Sequence, residues 1–174
     1  DVLDFSDKSL KYMAYSRCFR SKVGSAGSNT RGMQRLHEYQ QVELFKFTSD
    51  EHAETEYFSL LDDSTTCLRL LSIPYRIVKV GTSSLPFAAR RSFKIEAYCE
   101  ANDCWLDVST VSDFGTFQSR RGKVRYKTEK QNRYAVTMNS SGLAISRVLA
   151  ILLEQNYQND GTILIPRVLE RYMK

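Results

Sequence analysis

Arg20 and Arg147 are the side chains whose chemistry stands out first. Arg20 follows Phe19 at the end of an aromatic-rich stretch, beside a loop of glycines and small polar residues, and Arg147 falls near the start of an amphipathic helix pattern. Two guanidinium forks on different elements can clamp a polyphosphate, because each presents planar N–H donors that match phosphate oxygens. Asp107 and Thr110, three apart on a strand-like stretch, can offer oxygen to a hard cation such as magnesium. Each of these residues also has a plain structural reading, as a surface cation or a solvated oxygen, and spacing alone does not choose between them.

The elements that must position these groups follow from periodicity and turn chemistry. Residues 11–21 and 33–47 read as strands, and the loop 23–32 between them holds three glycines, which together predict a long antiparallel hairpin. Thr48 and Glu51 have capping-box spacing, and the helix they would open runs to about Leu71 with Phe58, Leu61, Leu68 and Leu71 inward, stopped by Pro74. Short strands are expected at 75–80, 92–98, 106–111 and 134–138. From Ser141 to Gln155 the apolar residues Ile145, Val148, Leu149, Leu152 and Leu153 mark one helix face. Asp160-Gly161 reads as a turn, 162–165 as a short strand, and Pro166 opens a terminal helix. This order predicts an α+β domain with a mainly antiparallel sheet flanked by helices.

The chain has 174 residues, one domain's worth, and no apolar run near the roughly 20 residues that would span a bilayer. Its net charge of +5 leans toward a polyanionic partner, and the distribution sharpens that lean. Between positions 119 and 133 stand seven cations, among them Arg120, Arg121, Lys123 and Arg125, against the single acid Glu129. This run reads either as a solvated hairpin or as a contact for phosphates. Cys18, Cys67, Cys99 and Cys104 form no CxxC pair and lie far in sequence from His37 and His52, which disfavours zinc; they read as reduced, partly buried thiols of an intracellular protein. The first residue is Asp1 rather than Met, as expected of a fragment or a processed product.

Several stretches in order carry a family resemblance. Cys18-Phe19-Arg20-Ser21, the small-residue loop, and Thr30-Arg31-Gly32-Met33-Gln34-Arg35-Leu36-His37-Glu38-Tyr39-Gln40-Gln41-Val42-Glu43 resemble the seryl-tRNA synthetase motif 2, CFRSE, a glycine loop, then TRGLxRVHQFxKVE. Phe117-Gln118-Ser119-Arg120-Arg121 is similar to that family's FQARR, and Asn139-Ser140-Ser141-Gly142-Leu143-Ala144-Ile145-Ser146-Arg147 to its motif 3, NGSGLAVGR. The tail, from Gln158-Asn159-Asp160-Gly161 through Ile165-Pro166 to Tyr172, resembles the QxxDGxxxxP…LxPY ending. Within the family the chain looks most like the non-enzymatic paralogue of insect mitochondria.

The resemblance implies a class II aminoacyl-tRNA synthetase fold, with ATP and Mg2+ as cofactors if the chain is active. It implies Arg20 at the α-phosphate, Arg147 at the γ-phosphate, and Tyr39 where a phenylalanine stacks on adenine. Glu43, Asn139 and Ser141 would line the serine pocket, and Asp107 and Thr110 would hold magnesium. It further implies tRNA or another RNA as partner, a synthetase subunit as homo- or heterodimer partner, and a mitochondrial location, with the cytoplasm as alternative. Chain 1–174 would be a partial catalytic domain, without the motif 1 interface, the Thr-x-Glu that grips the serine amine, or the N-terminal coiled coil.

The departures concern charge. Lys22 replaces the acid beside the phosphate arginine, a change of two charges worth on the order of kcal/mol at several ångströms. Asp107 replaces a glutamate one methylene longer, in a stretch that has lost the wording REISSCS, while Glu38 and Gln41 replace a Gln and a Lys. These changes favour a paralogue that kept the fold without aminoacylation. The alternative is an active serine–tRNA ligase that forms seryl-adenylate and charges tRNA.

Overall fold

The computed structural model describes residues 2–5, 9–21, 33 and 35–173. Two long strands, β2 (Leu10–Phe19) and β3 (Glu38–Thr48), form the expected antiparallel hairpin, with Leu10 opposite Phe47 and Phe19 opposite Glu38. The loop 23–32 and Lys22 lie outside the described residues. Next come α1 (Ala53–Leu70), β4 (Tyr75–Lys79), β5 (Arg91–Cys99) and β6 (Cys104–Asp113). The chain continues through α2 (Phe117–Gly122), β7 (Arg125–Lys127), β8 (Asn132–Tyr134), β9 (Val136–Ala144), α3 (Ile145–Asn156) and α4 (Arg167–Glu170). The main sheet is antiparallel with strand order β2-β3-β9-β6-β5-β4, and a small second sheet joins β7 and β8 to the two-residue β1 (Val2–Leu3). The α+β expectation holds.

Strand alternation divides the sheet into two faces. Ile95, Ala97 and Cys99 of β5, with Val136 and Met138 of β9, are buried in one core with α1 and α3. Lys94 and Glu96 lie on the opposite face of β5. On β3, Lys46 and Thr48 are buried on the helix side, so Tyr39, Gln41 and Glu43 fall on the other.

The helices differ from expectation in instructive ways. The buried stripe of α1 is Tyr57, Leu60, Ser64 and Leu68; Leu61 and Leu71 are partly buried, and Phe58 is about half exposed beside Tyr57 and Phe93. The Thr48–Glu51 capping box does not form. Thr48 ends β3, buried, and its hydroxyl accepts from Ser9 at 2.7 Å, while the residue preceding the helix is His52. At the other end, the Ile73 amide donates to Leu68 and the Ser72 amide to Arg69, the paired bonds of a Schellman motif, with Ser72 at φ 55°. The helix therefore closes before Pro74 is reached.

Helix α3 starts at Ile145, not Ser141. Ser141–Ala144 instead extend β9, because their backbone pairs with β3: Ser141 lies opposite Glu43 and Ala144 opposite Gln41. Val148, Ile151 and Leu152 are the inward residues of α3, whereas Leu149 and Leu153 sit about 100° round the helix and are substantially exposed. Residues 162–165 form no strand, only a bridge between Tyr157 and Ile163. The basic run is not a simple hairpin: its first arginines end α2, and the rest occupies β7, β8 and their turn.

The four cysteines are free, but Cys67 is exposed rather than partly buried. Among the described residues, no group of His, Cys, Asp or Glu is clustered to hold a metal, and no helix is long and apolar enough to cross a membrane.

Candidate functional site

The sheet face away from α1 carries a polar pocket, and it gathers most of the residues singled out from sequence. Arg20, Tyr39, Asp107, Thr110, Ser141 and Arg147 all line it. Arg20 leaves the end of β2, where its backbone amide donates to the His37 carbonyl at 2.9 Å. Its Nε donates to the Leu36 carbonyl at 2.9 Å, and its guanidinium lies 4.1 Å from the centroid of the Tyr39 ring. Such stacking aligns the fork and leaves its remaining N–H groups directed by the ring plane.

Arg147 enters from the first turn of α3. Its Nη1 donates to the backbone carbonyl of Asp107, which ties helix to strand β6 at the pocket. Burial lowers its pKa, the Arg20 and Arg35 charges push the same way, and the Asp107 carboxylate opposes them. A guanidinium remains charged regardless. Two half-buried cations from separate elements thus converge, electrostatically close enough to disfavour each other, which is a site suited to a polyanion.

Two bulges shape this face. On β6, Ile95 is opposite Ser109 but Glu96 is opposite Asp107, so Val108 is the extra residue. Without it, Asp107 and Thr110 would point to opposite faces. With it, they oppose Glu96 and Lys94, two apart on β5, and share one face. On β9, Gly142 is extra between Leu143, opposite Val42, and Ser141, opposite Glu43. A Cβ on Gly142 would stand 3.2 Å from Leu44 Cγ and 3.4 Å from the Val42 carbonyl oxygen, so a side chain there would press on Leu44.

The groups assigned by resemblance to serine recognition form their own network. The Ser141 hydroxyl donates to Glu43 Oε1 at 3.1 Å, and the Gln41 side-chain amide donates both to that same oxygen and to Ser141 Oγ, the latter at 2.7 Å. Asn139 shares the face of Ser141 one pair further along β9, opposite Phe45, and is not part of the pocket lining.

Asp107 and Thr110 are brought together, yet they do not fit a divalent cation as they stand. Asp107 Oδ2 is already 2.9 Å from Lys94 Nζ, and Glu96, the neighbouring carboxylate on this face, is held by Arg76 Nε at 2.6 Å. Gln41, in the pocket lining, and Lys94, bonded to Asp107, are positions at this face that the sequence motifs did not name as site residues. The signal for Gln41 was its replacement of a Lys; for Lys94 it was only strand alternation, which says nothing until the bulge on β6 is known.

The basic cluster stands apart from this pocket. Arg120 and Arg121 end α2, with Arg121 stacked 3.5 Å from the Phe117 ring centroid and bonded to the Phe117 carbonyl. Lys123 is the left-handed residue after that helix, and Arg125 on β7 lies 5.3 Å from the Tyr134 ring centroid. All four are exposed.

Comparison with known proteins agrees with this geometry. The family described as tRNA synthetase class II core domain (G, H, P, S and T) matches residues 6–156. The serine–tRNA ligase of Mycoplasma mobile is 42% identical over 174 residues, covering 99% of this chain and 41% of that protein, and the one from Clostridium botulinum is 43% identical over 176 residues with the same coverage. The seryl-tRNA synthetase from Pyrococcus horikoshii, solved complexed with ATP, superimposes with a TM-score of 0.92 at 32% identity, over 99% of this chain and 39% of that one. The cytoplasmic serine–tRNA ligase from Naegleria fowleri, in complex with AMP, gives 0.87 at 32% identity, over 98% and 41%. The chain therefore spans about two fifths of the length of the relatives it matches. On the matched residues, the fold and the pocket alike, this chain belongs to the class II tRNA synthetase core-domain family, and its likeness within that family is to the serine–tRNA ligases.

Proposed function

We propose that this chain is the nucleotide-binding core of a seryl-tRNA synthetase-like protein that does not activate serine and works instead through RNA and a synthetase partner. The convergence of Arg20, Tyr39 and Arg147 on one pocket supports a retained ATP site. In that reading the two guanidinium groups hold the phosphate chain and the Tyr39 ring packs on the base. The ATP and AMP complexes of the two structural relatives are consistent with it.

The observation that carries the loss of serine chemistry is the position of Gln41. Its amide is bonded to both Glu43 and Ser141, so the groups that would grip serine are engaged with one another. Where the related motif has a lysine, the pocket now has a neutral amide. At this position, beside Glu43 and Ser141, one unit of positive charge is gone, and attack of one anion on another depends on local compensation.

The exposed cations Arg120, Arg121, Lys123 and Arg125 are the proposed RNA contact. A mitochondrial location and a heterodimer with an active synthetase subunit belong to the same proposal and rest on the resemblance to the insect paralogue. Cell fractionation and co-purification test them.

ATP–pyrophosphate exchange with serine, run on the full-length protein, is the deciding experiment. No exchange above background is expected. Robust serine-dependent exchange would overturn the reading and establish the alternative, an active serine–tRNA ligase.

A further inference from the structure

The Lys94–Asp107 pair sits where the family resemblance puts a magnesium ligand, and it changes what that site can take. The bulge at Val108 turns Asp107 and Thr110 to the same face, opposite Glu96 and Lys94 respectively. Lys94 Nζ is 2.9 Å from Asp107 Oδ2 and both side chains are 39% exposed; Asp107 lines the pocket, and Lys94, which is not in the lining, adjoins it through this contact. The carboxylate directly opposite Asp107 is Glu96, and Arg76 neutralises it at 2.6 Å while also lying 4.4 Å from the Trp105 ring centroid.

A divalent cation binds through negatively charged oxygens and is repelled by a neighbouring ammonium. Here the two carboxylates nearest Thr110, Asp107 and Glu96, are each matched by a cation of the chain itself, while Glu43 on β3 is met by Gln41 and Ser141. Among the described residues, no cluster of three His, Cys, Asp or Glu offers another place for a metal. At the same time the face keeps the positive charge that a polyphosphate needs: Lys94 beside Asp107, with Arg20 and Arg147 in the pocket lining.

We infer that Lys94 holds Asp107 in place of a divalent cation, so that this pocket takes its nucleotide triphosphate free of metal. Lys94 is a charge-supplying, positioning residue in this scheme, and the scheme rests on the nucleotide reading given above.

Two measurements on the full-length protein test it and keep the two ideas separable. The first is ATP binding by calorimetry, in excess EDTA and in excess Mg2+. Affinity in EDTA should equal or exceed that in Mg2+. Lys94→Met should weaken binding in EDTA about tenfold or more, and Lys94→Arg should retain it. A wild-type protein that binds ATP only with Mg2+ would overturn the inference, as would a Lys94→Met protein with unchanged affinity in EDTA. The second measurement is direct Mn2+ binding by electron paramagnetic resonance, with melting curves confirming that each variant is folded. Wild type should show no tight Mn2+ site, and Lys94→Asp should create one that Asp107→Ala removes. A tight Mn2+ site in the wild type that depends on Asp107 would overturn the inference whatever the ATP result. ATP binding under neither condition would overturn the nucleotide reading, and the Mn2+ result would then decide the role of Lys94 alone.

Discussion

Arg20 and Tyr39 form a stacked pair at the mouth of the β2–β3 hairpin, guanidinium carbon 4.1 Å from ring centroid. The stack and the bond from Nε to the Leu36 carbonyl fix two sides of the guanidinium, which leaves its outer N–H groups to meet an anion in the pocket. A lysine in the same place keeps the charge and loses both constraints. Arg20→Lys should therefore weaken binding of a fluorescent ATP analogue about tenfold, roughly 1.4 kcal/mol, and Arg20→Ala by more. Because Arg20 is only half-buried, melting temperatures should hardly move. An Arg20→Ala protein that binds the analogue as tightly as wild type would remove this residue from the site.

Gly142 carries the pocket from the other side of the sheet. It is the extra residue of the β9 bulge, and an added Cβ would meet Leu44 Cγ at 3.2 Å and the Val42 carbonyl oxygen at 3.4 Å. The oxygen is at ordinary van der Waals distance, so Leu44 Cγ is the atom that must give, by a few tenths of an ångström. Gly142→Ala should lower stability by about 1–2 kcal/mol, as overpacking does. Ser141, its neighbour, should lose its geometry toward Glu43 at the same time. Denaturant unfolding checks the first effect, and the analogue titration the second. Leu44→Ala removes the γ-carbon that the new Cβ meets, so Gly142→Ala should cost less stability in the Leu44→Ala background than in the wild type.

Much of this site was legible in the sequence because its motifs are local. The two paired strands around Arg20 follow from composition and spacing, and behind Arg147 the expected Val148 and Leu152 face inward while Leu149 and Leu153 do not. What the sequence hid depends on pairing between distant segments. Ser141-Gly142-Leu143-Ala144 has small residues that favour neither helix nor strand strongly, and only the backbone of β3 opposite makes it a strand. Thr48 has the spacing of a helix cap, yet the end of β3 claims it and buries its hydroxyl against Ser9. Lys94 meets Asp107 only because the bulge at Val108 turns that carboxylate to its face. A one-residue shift of register turns side chains to the other face, and no composition rule reports where it falls.

The basic segment makes a salt-dependent forecast. Arg120, Arg121, Lys123 and Arg125 are exposed cations on two adjoining elements, and phosphate contacts by such groups release counterions. RNA affinity measured against salt should fall steeply, and each cation removed should shrink the logarithmic slope by about 0.7–0.9 for the contacts that exist. Arg121 is already stacked on Phe117 and bonded to its carbonyl, so Arg121→Gln should also loosen α2, whereas Arg120→Gln should alter the slope without changing the melt. Salt-insensitive binding would exclude this surface as an RNA contact.

Lys46 gives the fold a pH dependence of its own. Its side chain is 3% exposed, and its ammonium meets Glu56 Oε2 at 2.9 Å, Asp63 Oδ2 at 3.3 Å and the Ser59 hydroxyl at 3.0 Å, which joins β3 to α1. Glu56 also meets Lys11 at 3.2 Å. Burial alone raises the Glu56 pKa, but hydrogen bonds from Lys46 and Lys11 and the Lys46 charge outweigh it and hold the carboxyl below its ordinary value of 4.5. A depressed folded-state pKa means that ionised Glu56 adds stability fully present above 4.5 and lost as pH falls through the lower folded value. Glu56→Gln should cost about 2–4 kcal/mol near neutrality, because it leaves a buried ammonium with a weaker set of partners. Wild type and variant should converge as the medium is acidified below 4.5, and a difference that stays constant from neutrality into acid would exclude the ion pair as its source. Lys46→Met, which replaces the ammonium with an apolar chain of similar length and leaves Glu56 its bond to Lys11, should be the milder change.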